Sequence, residues 1–249
     1  MIAQETPPLL RKPLKEEVFE VLHERIIAGQ YTPGEWLRQE DISSQLGISM
    51  TPVREALDLL VSAGLAERIP YRGVRVLRPS VQEIVDSYAM RLLLECSAVY
   101  AAAFNISPEQ ITQLEKVLDQ SKSLVKLKDM SRDRVLSREL HGAIVFASGN
   151  VLLHKMYLTV LNTFPDWMLY ENLFRHPELL DTSMTREYKE HQEIVAALSG
   201  HKPQLAVEKT IKHITNLGRE LENYLGVPKD LVRIKESQIL PMLKQFEFS

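Results

Sequence analysis

The chain has 249 residues, 45% hydrophobic and 25% charged, with a formal net charge of −3, which bounds it as an ordinary globular protein of one large or two medium domains. Its single cysteine, Cys96, excludes an intrachain disulfide and fits a reducing compartment. With no apolar run near the roughly 18 residues of a spanning helix and no basic-then-apolar start (Glu5, Pro7-Pro8), the expectation is a cytoplasmic protein without a membrane partner.

In chain order, Gln39–Leu46 has the composition of a short helix, with Ile42 and Leu46 one turn apart. Gly47 supplies the backbone freedom of a tight turn, and Ile48 plugs the gap between helices. Ser49 or Thr51 can cap a second helix, and Pro52 falls in its first turn, where a missing N–H costs nothing. Val53, Ala56, Leu57 and Leu60 then form an inward stripe, leaving Arg54, Glu55 and Asp58 on other faces. This spacing predicts a helix-turn-helix, the element that enters a DNA major groove. An ordinary pair of surface helices has the same spacing.

Gly64–Arg68 and Gly73–Arg78 follow as two strands, the second alternating apolar and basic residues. Tyr71-Arg72-Gly73 is the hairpin tip, with Gly73 free to take a positive φ. The reading is a winged-helix domain over 1–79. Those residues hold ten Lys/Arg against eleven Asp/Glu, so the domain is close to neutral. Positive charge is local instead: Arg68, Arg72, Arg75 and Arg78 fall within eleven residues containing no acid. A basic wing on a neutral body can serve phosphate binding, although charge also protects an exposed sheet edge.

These motifs resemble the GntR family of bacterial transcription regulators. The resemblance runs through Ile27-Ala28-Gly29-Gln30-Tyr31-Thr32-Pro33-Gly34-Glu35-Trp36-Leu37, Leu46-Gly47-Ile48-Ser49, Thr51-Pro52-Val53-Arg54-Glu55-Ala56-Leu57, Gly64-Leu65 and Arg72-Gly73-Val74. It implies Arg38, Ser49, Thr51, Arg54, Arg72 and Gly73 as the residues facing double-stranded operator DNA. The family usually carries Arg between the Ser and Thr, a residue type suited to reading guanine. This chain has Met50 there, so that contact does not carry over.

From Val81 the chain reads as all-α, with helical stretches at about 81–104, 108–127, 132–148, 151–163, 184–199, 203–225 and 229–245, divided by proline, glycine and asparagine. The expectation for 80–249 is an antiparallel helical bundle, making the whole mainly α. His191 and His213 lie about equally far from the turn near Gly200–Pro203, hence at similar height in a helical hairpin. His141 is on another helix, on a face shared with Ser137 and Ile144. Three imidazoles entering a bundle interior have the form of a metal site, and equally that of histidines satisfied by neighbours. Ile84, Tyr88, Arg91, Leu94 and Ala98 form an inward stripe with one charge. A buried guanidinium needs an anion, either Glu95 one turn on or a bound carboxylate.

Arg91-Leu92-Leu93-Leu94-Glu95, Leu140-His141 with Ala147-Ser148-Gly149-Asn150, and Glu190-His191 through His213-Ile214 resemble the FCD domain, the effector-binding half of FadR-like GntR regulators. Many such domains hold a divalent metal through three His and an Asp four residues before the first. By position the histidines are His141, His191 and His213, and the Asp position is Ser137. The resemblance implies a ligand site of Arg91, Ser137, His141, His191 and His213. Its two open occupants are a zinc- or nickel-like divalent metal on the three histidines and an anion in a metal-free pocket. It also implies a small carboxylate effector and a homodimer. The competing readings are a metal-dependent enzyme with an accessory winged helix, which needs a base beside the metal, and a winged helix used only for protein interaction.

Overall fold

The computed structural model describes residues 12–244; the reading of the first residues lies outside them. The N-terminal part runs α1 (Leu14–Ile27), α2 (Gln39–Leu46), α3 (Met50–Ser62), β1 (Ala66–Ile69) and β2 (Gly73–Val76). Gly47 ends α2 at φ 66°, in the left-handed region that favours glycine. Val53, Ala56, Leu57 and Leu60 of α3 are buried with Val18, Leu22 and Ile26 of α1 and Val74 and Val76 of β2. Ser49 occupies the N-cap position of α3, but its hydroxyl makes no capping hydrogen bond, correcting the capping expectation. The strands pair antiparallel with Ile69 opposite Gly73. Gly73 has φ 111°, and Tyr71 beside it also takes a positive φ, 62°. Trp36 adds a single bridge to Arg75.

The remainder comprises α4 (Val81–Asn105), α5 (Pro108–Ser121), α6 (Met130–Ala147), α7 (Val151–Thr163), α8 (Asp166–Arg175), α9 (Leu180–Ser199), α10 (Pro203–Tyr224) and α11 (Lys229–Lys244). Capping boxes start α4 (Ser80 with Glu83) and α5 (Ser107 with Gln110). Helix α4 is the spine, with α6, α7, α10 and α11 packed around it, while α5 lies on α6 and α9. Three helix boundaries and one whole helix differ from expectation. Helix α5 stops at Ser121, and α6 starts two residues early, after a 3-10 turn at Leu127–Asp129. Helix α8 lies where the prolines at 165 and 177 suggested a loop. Pro165 is at its N-cap, where the ring breaks no helical hydrogen bond, and Trp167, Tyr170 and Leu173 are buried. Helix α9 begins at Leu180, four residues ahead of the expected 184.

The two parts share a core. Met130, Trp167, Tyr170, Leu173, Leu180 and Met184 of the helical part join the cluster of α1–α3. Gly64, at φ 69°, lies so close to α7 that a Cβ there would stand 2.5 Å from the Asn162 carbonyl oxygen. Arg134 of α6 is buried and donates to the Ala63 carbonyl (3.2 Å) and to Asp166 (2.7 Å). Its Nη1 also meets His23 Nε2 of α1 at 3.2 Å.

Candidate functional site

His141 on α6, His191 on α9 and His213 on α10 meet in the bundle interior. Their ring centroids are 4.9, 5.0 and 4.8 Å apart, and one ligand nitrogen from each lies within 4.8 Å of the others. All three are buried. The short α9–α10 turn sets His191 and His213 level, and α6 brings His141 against them from across α4.

A second layer fixes how two of the rings face. His141 Nδ1 lies 2.7 Å from Glu95 Oε2, and His213 Nδ1 lies 2.9 Å from Glu190 Oε2. An ionised carboxylate only accepts, so each Nδ1 carries the proton and each Nε2 keeps its lone pair. This carboxylate–histidine arrangement is the one that orients metal-binding imidazoles. His141 Nε2 and His191 Nε2 are 3.1 Å apart, a separation two nitrogens sharing one ion can adopt. Burial holds His191 well below the usual imidazole pKa, with His213 and His141 adding to it. Burial also lowers His141, with Glu95 opposing. His141 and His191 are therefore neutral near pH 7, the form that ligates. The donor set fits a divalent metal, and these three residues could hold one.

Arg91 is buried on α4; its Nε donates to Glu95 Oε1 at 2.7 Å and its guanidinium lies 4.8 Å from the Phe164 ring centroid. Burial alone would raise the Glu95 carboxyl, but Arg91 and His141 hold it well below the usual range. Arg91 therefore has the intrachain partner that the sequence left open, while still bordering a cavity of about 60 Å³. That space exceeds the roughly 15 Å³ one water needs. Its wall includes Ser137, Arg138, Arg186, Glu187, His141 and His213. Ser137 Oγ donates to Glu187 Oε1 at 3.0 Å. Glu187 Oε1 is also 3.8 Å from His191 Nε2. Ser137, Glu187 and His191 line a second, larger cavity of about 250 Å³ with Asp133. Burial, reinforced by Glu187, pushes the Asp133 carboxyl up to about 8.

Arg138 connects this wall to the winged-helix part. It donates to the Leu161 carbonyl (3.0 Å), Asn162 Oδ1 (2.7 Å) and Asp166 Oδ2 (3.1 Å). Asp166 also receives Arg134, so one carboxylate joins a cavity residue to a residue that touches α1 and the end of α3. Sequence reasoning missed Arg138, Asp166 and the role of Glu190. The four-residue spacing of Arg134 and Arg138 was a visible signal, but their shared acceptor sits on the unforeseen α8.

On the winged-helix part, Arg38, Ser49, Thr51, Arg54, Arg72 and Gly73 are exposed. Arg38 sits at the N-cap of α2, and Ser49, Thr51 and Arg54 lie at and just beyond the start of α3. Arg72 leans over Trp36, 5.7 Å from the ring centroid, and borders an open groove with Arg38 and Gly73. The wing is less uniformly basic than its sequence suggests. Arg68 pairs with Asp58, and Arg75 pairs with Glu67 at 2.9 Å. Met50 is 51% exposed at the start of α3.

Comparison with known proteins places this geometry among relatives. The model described as bacterial regulatory proteins, gntR family, matches residues 14–76, and that of the FCD domain matches residues 86–216. The HTH-type transcriptional repressor NanR of Escherichia coli is 27% identical over 230 residues, covering 84% of this chain and 85% of NanR. The HTH-type transcriptional repressor RspR of Escherichia coli is 29% identical over 119 residues, 48% of this chain and 52% of RspR. The chain thus spans about half the length of the first curated relatives it matches. Among solved structures, E. coli McbR superposes with TM-score 0.62 at 21% identity, covering 86% of this chain and all of McbR. A regulator from Rhodococcus superposes with TM-score 0.60 at 21% identity, covering 84% of this chain and 98% of that one. Both share its fold.

Proposed function

The chain belongs to the GntR family of bacterial transcription regulators and carries an FCD domain, and from that premise we propose a homodimer that binds palindromic operator DNA under control of a small carboxylate and a divalent metal. The family consists of regulators rather than enzymes. The observation that carries the sensing half of the proposal is the convergence of His141, His191 and His213, two of them backed by carboxylates. Bound there, a zinc-like ion would offer open positions to an oxygen ligand. Arg138 and Arg91 on the same wall suit a carboxylate.

Residues 1–79 would read DNA and residues 80–249 would sense and dimerise. Support for the second role comes from exposed apolar side chains on neighbouring helices: Phe104, Phe146, Val151, Leu152 and Met156. Two winged helices held by one symmetric body read an inverted repeat with compounded affinity. An anion that draws Arg138 from Asp166 would disturb the contacts of Arg134 with α1 and α3, biasing how the winged helix sits. With no membrane-spanning helix among the described residues, the proposed location is the cytoplasm.

In vitro selection of random duplexes on the full-length protein, with light scattering of the bound species, tests the DNA half. Enrichment of an inverted repeat bound by two chains is expected. No enrichment, or one chain per duplex, would overturn it.

A further inference from the structure

Three imidazole ligands bring no negative charge to a divalent ion, and Ser137 brings none either. The acids behind them are committed: Glu95 to Arg91 and His141, Glu190 to His213 and Asn216 (2.5 Å). Glu187 is placed differently. It sits on α9 one turn before His191, and its Oε1 is 3.8 Å from His191 Nε2, the nitrogen that faces His141. Among the described residues no guanidinium or ammonium pairs with it; its hydrogen bond comes from the Ser137 hydroxyl. It borders both cavities beside the histidines. Its field reaches other acids too: burial, with Glu187 contributing, raises Glu220 to about 7 against the pull of Arg186. A half-buried carboxylate 3.8 Å from an imidazole nitrogen, among acids already pushed upward, is a place where a cation relieves charge.

We propose that Glu187 is the anionic ligand of a three-histidine, one-carboxylate metal site, with the Ser137 hydroxyl orienting its carboxylate from across the α6–α9 interface. The proposal rests on the metal reading of the histidines. It adds a fourth donor from α9, so that helix supplies two ligands, Glu187 and His191, four residues apart on one face. The set His, His, His, Glu suits zinc and also an octahedral ion with two positions left for a bidentate carboxylate. Ser137 becomes a positioning residue that keeps the donor close to its metal-binding place.

The test uses full-length protein stripped by a chelator and titrated with Zn²⁺ against a chromophoric competitor, together with Co²⁺ absorption spectra. Wild type should bind one ion per chain. Glu187→Gln, which keeps size and hydrogen bonding, should bind 10- to 100-fold more weakly and give an altered Co²⁺ ligand-field band. Adding Ser137→Asp to Glu187→Gln should recover affinity, because Ser137 Oγ lies 3.0 Å from Glu187 Oε1 and a carboxylate there reaches the same space. A purely structural role for Glu187 would leave the Co²⁺ ligand-field band unchanged. Equal affinity and identical Co²⁺ spectra for wild type and Glu187→Gln would overturn the assignment while leaving the histidine site standing. Wild type that binds no ion, like His141→Ala, would overturn the metal reading and this proposal with it.

Discussion

Glu95 links two arrangements that would otherwise be independent. One oxygen neutralises Arg91, and the other holds His141 Nδ1, leaving Nε2 to face the cavity. Glu95→Gln should therefore fail twice. It leaves the Arg91 guanidinium buried without an anion, a loss of about 3–5 kcal/mol, visible in denaturant unfolding. It also frees the His141 ring, weakening zinc binding about 10- to 100-fold. A variant as stable as wild type, with full zinc affinity, would refute both roles. The Arg91–Glu95 pair was legible from four-residue spacing in one helix. The reach of Glu95 to His141 was not, because it depends on how α4 crosses α6. On the DNA face, Arg54→Ala should weaken specific binding by about 1–3 kcal/mol. Arg72→Ala should weaken it less selectively and flatten its salt dependence. Gel shifts unchanged for both would contradict the proposed DNA surface.

At the scale of elements, the contact between α1 and α6 is chemically specific. Arg134 can only donate, so His23 Nε2 must accept and the neutral ring's proton sits on Nδ1, against Ser131 Oγ. Burial is the main reason the His23 pKa falls to about 3. Arg134 and Arg138 lower it further, while Asp166 opposes them. The unfolded chain, with a pKa near ~6.5, takes up this proton first. His23 thus supports folding fully above pH ~6.5 and loses that support progressively as pH falls toward its folded pKa, by up to about 1.4 kcal/mol per pH unit. His23→Gln offers one acceptor and one donor but does not titrate. Between pH 6.5 and 5.5, wild type should lose about 1 kcal/mol more stability than this variant; parallel unfolding profiles would contradict the argument. Sequence periodicity found the helix-turn-helix and most of the bundle because apolar spacing is written locally. It passed over α8, a ten-residue helix flanked by prolines, whose burial of Trp167 and Tyr170 is decided by a distant core.

For the whole molecule, the shared core and the chain Arg138–Asp166–Arg134 make the three-histidine cavity and the winged helix parts of one mechanical unit. In the proposed mechanism, what occupies the three-histidine cavity sets affinity for DNA. Without differential affinity of the occupant for two arrangements there is no regulation. The most direct measurement is fluorescence anisotropy of a selected inverted-repeat duplex titrated with full-length protein, chelator-stripped or loaded with one zinc per chain. Wild type and His213→Ala would be compared side by side. At least a fivefold difference is expected between the two wild-type forms, the low end of ordinary allosteric coupling, and none in His213→Ala. Equal affinity of stripped and loaded wild type, with zinc confirmed bound, would contradict it.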